Sequence, residues 1–147
     1  MTMMLAPVVL ADDDPDDCSL TGEALRYASL ANPLRFITDG EKLLAYLHRC
    51  IESREPGCLP ALILLDLNMP RMGGREALHA IKGNPALKNI PVVVWTTSGA
   101  EEDIRRALDA GCDDYLTKPP SFVEMVEAMR ALCERWLRTH GTPESAS

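Results

Sequence analysis

Five short aliphatic runs separated by helical patterns constrain this chain more than anything else in it. The runs are Val8-Val9-Leu10-Ala11, Leu34-Arg35-Phe36-Ile37, Ala61-Leu62-Ile63-Leu64-Leu65, Val92-Val93-Val94-Trp95 and Tyr115-Leu116. The third and fourth are continuously apolar instead of alternating, which is how strands read when helices cover both faces of a parallel sheet. Between the runs, apolar residues recur at helical spacing. Asp14-Pro15 reads as an N-cap followed by proline at the first helical position, ahead of Leu20, Ala24, Leu25 and Ala28. Leu44, Leu47 and Ile51 mark a second helix, and Ala77, Leu78 and Ile81 a short third one that stops at Asn84-Pro85. Ser98 with Glu101, and Ser121 with Glu124, have capping-box spacing and predict the starts of the fourth and fifth helices, the fourth ending at Gly111. Strand–helix alternation repeated five times predicts a three-layer α/β fold with right-handed crossovers.

With 147 residues the chain has the length of one domain. Only 5% of residues are aromatic, so the core must be aliphatic. A net charge of −7 argues against non-specific binding to nucleic acid, which needs clustered cations. No apolar run approaches the ~20 residues of a membrane span, and Met1–Ala11 lacks the basic start of a secretory signal. Five cysteines (Cys18, Cys50, Cys58, Cys112, Cys133), odd in number and irregularly spaced, predict reduced thiols in a cytoplasm. His48, Cys50 and Cys58 lie near one another but lack a fourth ligand at zinc spacing. In the fifth helix Phe122, Val126, Met129, Cys133 and Trp136 predict the inward face. Met125, Met129, Leu132 and Trp136 form a second row, which either widens the core stripe or buries another surface.

In an open parallel sheet ligands bind at the carboxyl ends of the strands. There the sequence places Asp12-Asp13 after the first run, Asp66 after the third, Thr96-Thr97 after the fourth and Lys118-Pro119 after the fifth. Thr38-Asp39-Gly40 after the second is less distinctive. Converging carboxylates at ~4 Å repel by about 4 kcal/mol at an effective dielectric near 20, so they need protons or a hard cation such as Mg²⁺. A lone aspartate after a strand is usually a cap or turn residue; the signal is the joint placement. With a hydroxyl at Thr96 and a cation at Lys118, the set makes a pocket for a doubly charged tetrahedral group beside a carboxylate nucleophile, a phosphoryl group on Asp66.

Four segments carry a resemblance to a known family: Val9–Pro15, Leu62–Gly74, Pro91–Ser98 and Gly111–Pro119. Over about residues 7 to 138 the chain resembles a response-regulator receiver domain of two-component signalling. The resemblance implies a (βα)5 flavodoxin-like fold with strand order 2-1-3-4-5, no output domain, and a tail over 139–147. It implies that Asp66 is the phosphoacceptor, fed by a histidine kinase. Asp12, Asp13 and Asp66, with the backbone carbonyl of Asn68, would hold Mg²⁺. Thr96 and Lys118 would grip the phosphoryl oxygens, Thr96 and Tyr115 would form the switch, and Asn68 and Ser98 would tune hydrolysis. The Lys118-Pro119 bond would be cis. The stretch from Tyr46 to Pro60, with Thr96-Thr97-Ser98 and Ala100–Ile104, is similar to stand-alone receivers paired with phytochrome-type histidine kinases, and that group implies a homodimer through the fourth helix, fifth strand and fifth helix. Such a protein is a phosphoacceptor and not a turnover enzyme; its output is a protein contact. Against the family pattern stand Asp14, Trp95, Gly73 and Pro120.

Three rivals fit less well. A haloacid-dehalogenase-type phosphatase needs a second acid two residues after its nucleophile, where this chain has Asn68. A flavodoxin-like electron carrier needs a phosphate-cradling loop where Asp12–Asp17 would repel a phosphate. A binding-only receiver would have lost an acid or the lysine.

Overall fold

The computed structural model describes residues 5–69 and 72–137. The tail expected over 139–147 lies outside the described residues. Five strands, β1 (Val8–Ala11), β2 (Leu34–Ile37), β3 (Leu62–Leu65), β4 (Val92–Thr96) and β5 (Asp114–Thr117), alternate with helices α1 (Pro15–Tyr27), α2 (Gly40–Ser53), α3 (Gly74–Lys82), α4 (Glu101–Asp109) and α5 (Phe122–Trp136). All four strand pairings are parallel, in the order β2-β1-β3-β4-β5.

Every residue of β1, β3 and β4 is buried, which explains why their sequences do not alternate. Their side chains still alternate between two cores. Val9, Ala11, Ile63, Leu65, Val92 and Val94 pack with Leu43 and Leu47 of α2, Leu78 and Ile81 of α3, and Ala107 of α4. Val8, Leu10, Leu62, Leu64, Val93 and Trp95 pack with Leu25 of α1 and Met125, Met129 and Leu132 of α5. Each fully buried aliphatic side chain contributes about 1.5–3 kcal/mol, so the three central strands form the rigid platform whose ends carry the polar residues. Among the described residues no helix is long and apolar enough to cross a membrane.

Three expectations need correction. The row Met125, Met129 and Leu132 is the buried stripe of α5, whereas Phe122, Val126, Cys133 and Trp136 are half-buried beside it; the second apolar row therefore belongs to the core. Ser98 does not cap α4. The N-cap is Ala100, whose methyl side chain makes no capping bond, and Ser98 stands before it, its hydroxyl donating to Asp103 Oδ2 at 2.6 Å. The glycine stop of that helix is as expected: α4 ends at Asp109 with Ala110 as its C-cap, and Gly111 follows at φ 103°. Finally, not all cysteines are free thiols. Arg54 takes a left-handed conformation at the C-cap of α2 (φ 56°) and the chain turns again at Gly57. This returns Cys58 to Cys50 at a Cα–Cα distance of 5.3 Å, and the two form a disulfide. Both sulfurs are thereby unavailable to zinc, which leaves only exposed His48 of that set.

Candidate functional site at the carboxyl edge of the sheet

Strand register assembles the site. Ala11 and Leu65, the last residues of β1 and β3, are direct partners. The next residue on each strand, Asp12 and Asp66, therefore emerges side by side, and Asp66 N–H donates to Ala11 C=O at 2.9 Å. Asp12, Asp13 and Asp66 bring carboxylate oxygens within 4.8 Å of one another. On the far side Thr96 pairs with Thr117, and the backbone N–H of Lys118 donates to Thr96 C=O at 2.7 Å.

The Lys118 side chain is only 5% exposed, and its ammonium lies 2.7 Å from Asp12 Oδ2, 3.0 Å from Asp17 Oδ2 and 3.6 Å from Asp66 Oδ2. Burial pulls its pKa down, but the bonds to Asp12 and Asp17 outweigh it and hold the group above its ordinary value. Asp12 is raised above its ordinary 3.8 by burial, with Asp66 adding repulsion and Lys118 opposing both. The pocket thus holds more negative charge than one lysine neutralises. In sequence Asp17 reads as one more solvated acid. The available signal was its place on the first turn of α1, where Asp14 Oδ1 accepts from the N–H groups of Asp16 (2.9 Å) and Asp17 (3.4 Å). That capping role also explains Asp14, whose charge serves the helix N-terminus.

Asp66 is 9% exposed, and its Oδ1 accepts from the N–H of exposed Asn68 at 3.2 Å. The loop after it closes tightly: a Cβ on Gly74 would collide with the Asp66 carbonyl oxygen. At neighbouring Gly73 the N–H donates to Glu76 Oε1 at 3.2 Å.

Thr96 is fully buried, and its hydroxyl has no hydrogen-bond partner among the described residues. A buried orphan hydroxyl costs about 1–3 kcal/mol, so a waiting partner is the natural explanation. Half-buried Tyr115 donates its hydroxyl to Ser98 C=O at 2.8 Å, tying β5 to the loop after β4; burial raises its pKa. Ser98, bound to Asp103, and Asn68 therefore stand in the loops following Thr96 and Asp66. Trp95 points to the opposite core and donates its indole N–H to Thr21 Oγ1 of α1 at 3.0 Å. The Lys118-Pro119 bond is not cis, since no described peptide bond is. Trans is the lower-energy isomer of an X–Pro bond, and in it Lys118 already reaches Asp12.

The donor set fits a hard divalent cation. Three carboxylates converge, one of them destabilised by burial, and carboxylate oxygens suit Mg²⁺, Ca²⁺ or Mn²⁺ better than softer metals.

Known proteins resemble this chain in sequence and fold. The family model for the response regulator receiver domain matches residues 8–130. Response regulator Rcp1 of Synechocystis sp. is 37% identical over 136 residues, covering 92% of each chain. The crystal structure of the Mn(2+)-bound form of Rcp1 superposes with a TM-score of 0.79 at 35% identity, covering 94% of this chain and 99% of that one. The phosphorylated cyanobacterial phytochrome response regulator RcpA superposes with a TM-score of 0.82 at 35% identity, over 95% and 99% of the two chains.

Proposed function

Since this chain belongs to the response-regulator receiver family and lies close to phytochrome response regulators, we propose that it takes a phosphoryl group from the phosphohistidine of a sensor histidine kinase onto Asp66. The observation that carries this reading is the pairing of a nearly buried carboxylate with an orphaned hydroxyl and a buried ammonium across one sheet edge. In the transfer an Asp66 oxygen forms the O–P bond while the P–N bond to the histidine breaks, and the bonding pair leaves on the imidazole. Lys118 neutralises charge on the equatorial oxygens, and Thr96 supplies the hydroxyl that the new group would satisfy. Asp12, Asp13, Asp66 and the Asn68 carbonyl would hold Mg²⁺, which when bound offsets the phosphoryl charge. The Mn²⁺-bound relative supports a divalent ion at such a site.

Once Thr96 turns toward the phosphoryl group, Tyr115 exchanges its bond to the Ser98 carbonyl for the space vacated. The faces of α4, β5 and α5 then change together, a shift between two conformations of one fold. Asn68 and Ser98, beside the acceptor and the switch residue, tune access of water to the acyl phosphate. We place the receiver domain at residues 7–138, in the cytoplasm beside its kinase, which by likeness to RcpA is a phytochrome-type kinase. A homodimer through α4, β5 and α5 is supported by exposed Leu108 (51%) and by a groove of about 190 Å3 between β5 and α5, lined by Leu116, Ala128 and Ala131. The decisive experiment is intact mass after treatment with a small phosphodonor and Mg²⁺. One phosphate is expected on the wild type and none on Asp66→Asn; a phosphate on both misplaces the acceptor. Sedimentation showing only monomer at high micromolar concentration, with and without phosphate, removes the dimer.

A further inference from the structure

The Lys118 ammonium has three protons to donate. Asp12 takes one at 2.7 Å and Asp17 a second at 3.0 Å, whereas the acceptor carboxylate of Asp66 stands at 3.6 Å, beyond hydrogen-bond length. The lysine is thus held by two acids that do not receive the phosphoryl group. Asp12 belongs to the carboxylate triad; Asp17 does not. Asp17 sits on a different element from the triad, in the first turn of α1, fixed there by its own N–H bond to the Asp14 cap. Its side chain is about one-third exposed while the lysine it grips is buried. The bond therefore ties the buried ammonium to an acid at the rim of the pocket.

We propose that Asp17 is a positioning residue that competes with the phosphoryl group on Asp66 for the Lys118 ammonium, and so weakens the hold of this pocket on that group. This rests on the receiver reading above. When a phosphoryl group arrives, its oxygens need a lysine proton. Lys118 must either spend its last free proton from a position set by Asp12 and Asp17, or release Asp17. Asp17 is accordingly a counterweight: it keeps the lysine ordered before transfer and resists its capture afterwards. Asp16 provides an internal control, since it is the same residue type one position away and forms no ion pair with Lys118 among the described residues.

The test is calorimetric titration of beryllium fluoride, a phosphoryl mimic, in saturating Mg²⁺ into the full chain. Asp17→Asn should bind it about tenfold tighter than wild type, the size of one charge-assisted hydrogen bond. Asp16→Asn should stay within about twofold, and Asp17→Glu, which restores a carboxylate, should return toward wild type. Mg²⁺ alone should bind Asp17→Asn as it binds wild type. Equal mimic affinity for Asp17→Asn and wild type overturns the proposal. So does an equal gain in Asp16→Asn, which would make the effect one of general charge, or an Mg²⁺ affinity that moves by the same factor, which would make Asp17 a metal ligand. Thermal unfolding shows that each variant is folded, and Asp17→Ser replaces Asp17→Asn if that variant is not. Failure of the wild type to bind the mimic and to gain phosphate mass overturns the receiver reading itself, an outcome distinct from all of these.

Discussion

Two buried threonines make opposite demands of the same substitution. Thr96 Oγ1 has no partner among the described residues, whereas Thr21 Oγ1 accepts the indole N–H of Trp95 at 3.0 Å. Both residues are at most 2% exposed. Replacing threonine by valine exchanges a hydroxyl for a methyl of similar shape. At Thr96 this removes an unsatisfied buried polar group and should stabilise the protein by about 1–2 kcal/mol. At Thr21 it strands the indole N–H and should destabilise by about 1–2 kcal/mol. Unfolding entropy scales with length, so 1 kcal/mol moves the midpoint by roughly 3 °C in a domain of this size. The two variants should therefore lie about 6–12 °C apart, on either side of wild type, in differential scanning calorimetry without Mg²⁺ or phosphodonor. The stabilised Thr96→Val should also lose beryllium fluoride affinity, because its hydroxyl is kept for the phosphoryl group at a cost to stability. A lower melting temperature for Thr96→Val would refute the reasoning, since the hydroxyl would then have a structural partner.

Lys118→Met leaves Asp12 buried without its cation and should cost about 3–5 kcal/mol at neutral pH. Asp12 already sits above its ordinary 3.8 through burial, and losing the lysine raises it further. The native state then binds that proton more tightly than the unfolded chain does, so the variant loses stability as pH rises from 3.8 through the native value. Urea unfolding at pH 5 and pH 7 should show the deficit shrinking on acidification; a deficit independent of pH contradicts it. In the wild type, Lys118 lies above 10.5, so its contribution is intact below that value and lost as pH rises through the native one. Mg²⁺ at about 100 times its dissociation constant should add about 2.7 kcal/mol, and Asp13→Asn should abolish most of that gain; an undiminished shift would place the ion elsewhere. Burial raises Cys18, Cys112 and Cys133 to about 11, so iodoacetamide should label the native protein slowly at pH 7.5. Thiol titration in denaturant should count three thiols before reduction and five after it; five at the outset would exclude the Cys50–Cys58 bond.

Much of the architecture was readable because hydrophobic patterning is a direct image of burial. β1, β3 and β4 are sealed on both faces, and their unbroken aliphatic runs say so. The polar residues following those runs were readable as a group because strand ends define one edge. Details that depend on where side chains point were not. Asp17 reads in sequence as solvated charge, yet its carboxylate lies 3.0 Å from the Lys118 ammonium. Ser98 has the spacing of a cap, but the N-cap of α4 comes two residues later than that spacing implies, at Ala100. The Cys50–Cys58 bond follows from a left-handed Arg54, a backbone choice that sequence spacing does not encode. In α5 the two apolar rows lie so close in angle that a small rotation decides which is innermost.

Alignment of Ala11 against Leu65 carries a demand on how this chain can change. Slide β3 by one position and the pleat turns Asp66 into the oily layer while Leu65 takes its place at the water's edge. Single-residue insertions or deletions inside these short strands should therefore abolish ion binding outright, whereas lengthened loops on the opposite rim should leave it intact.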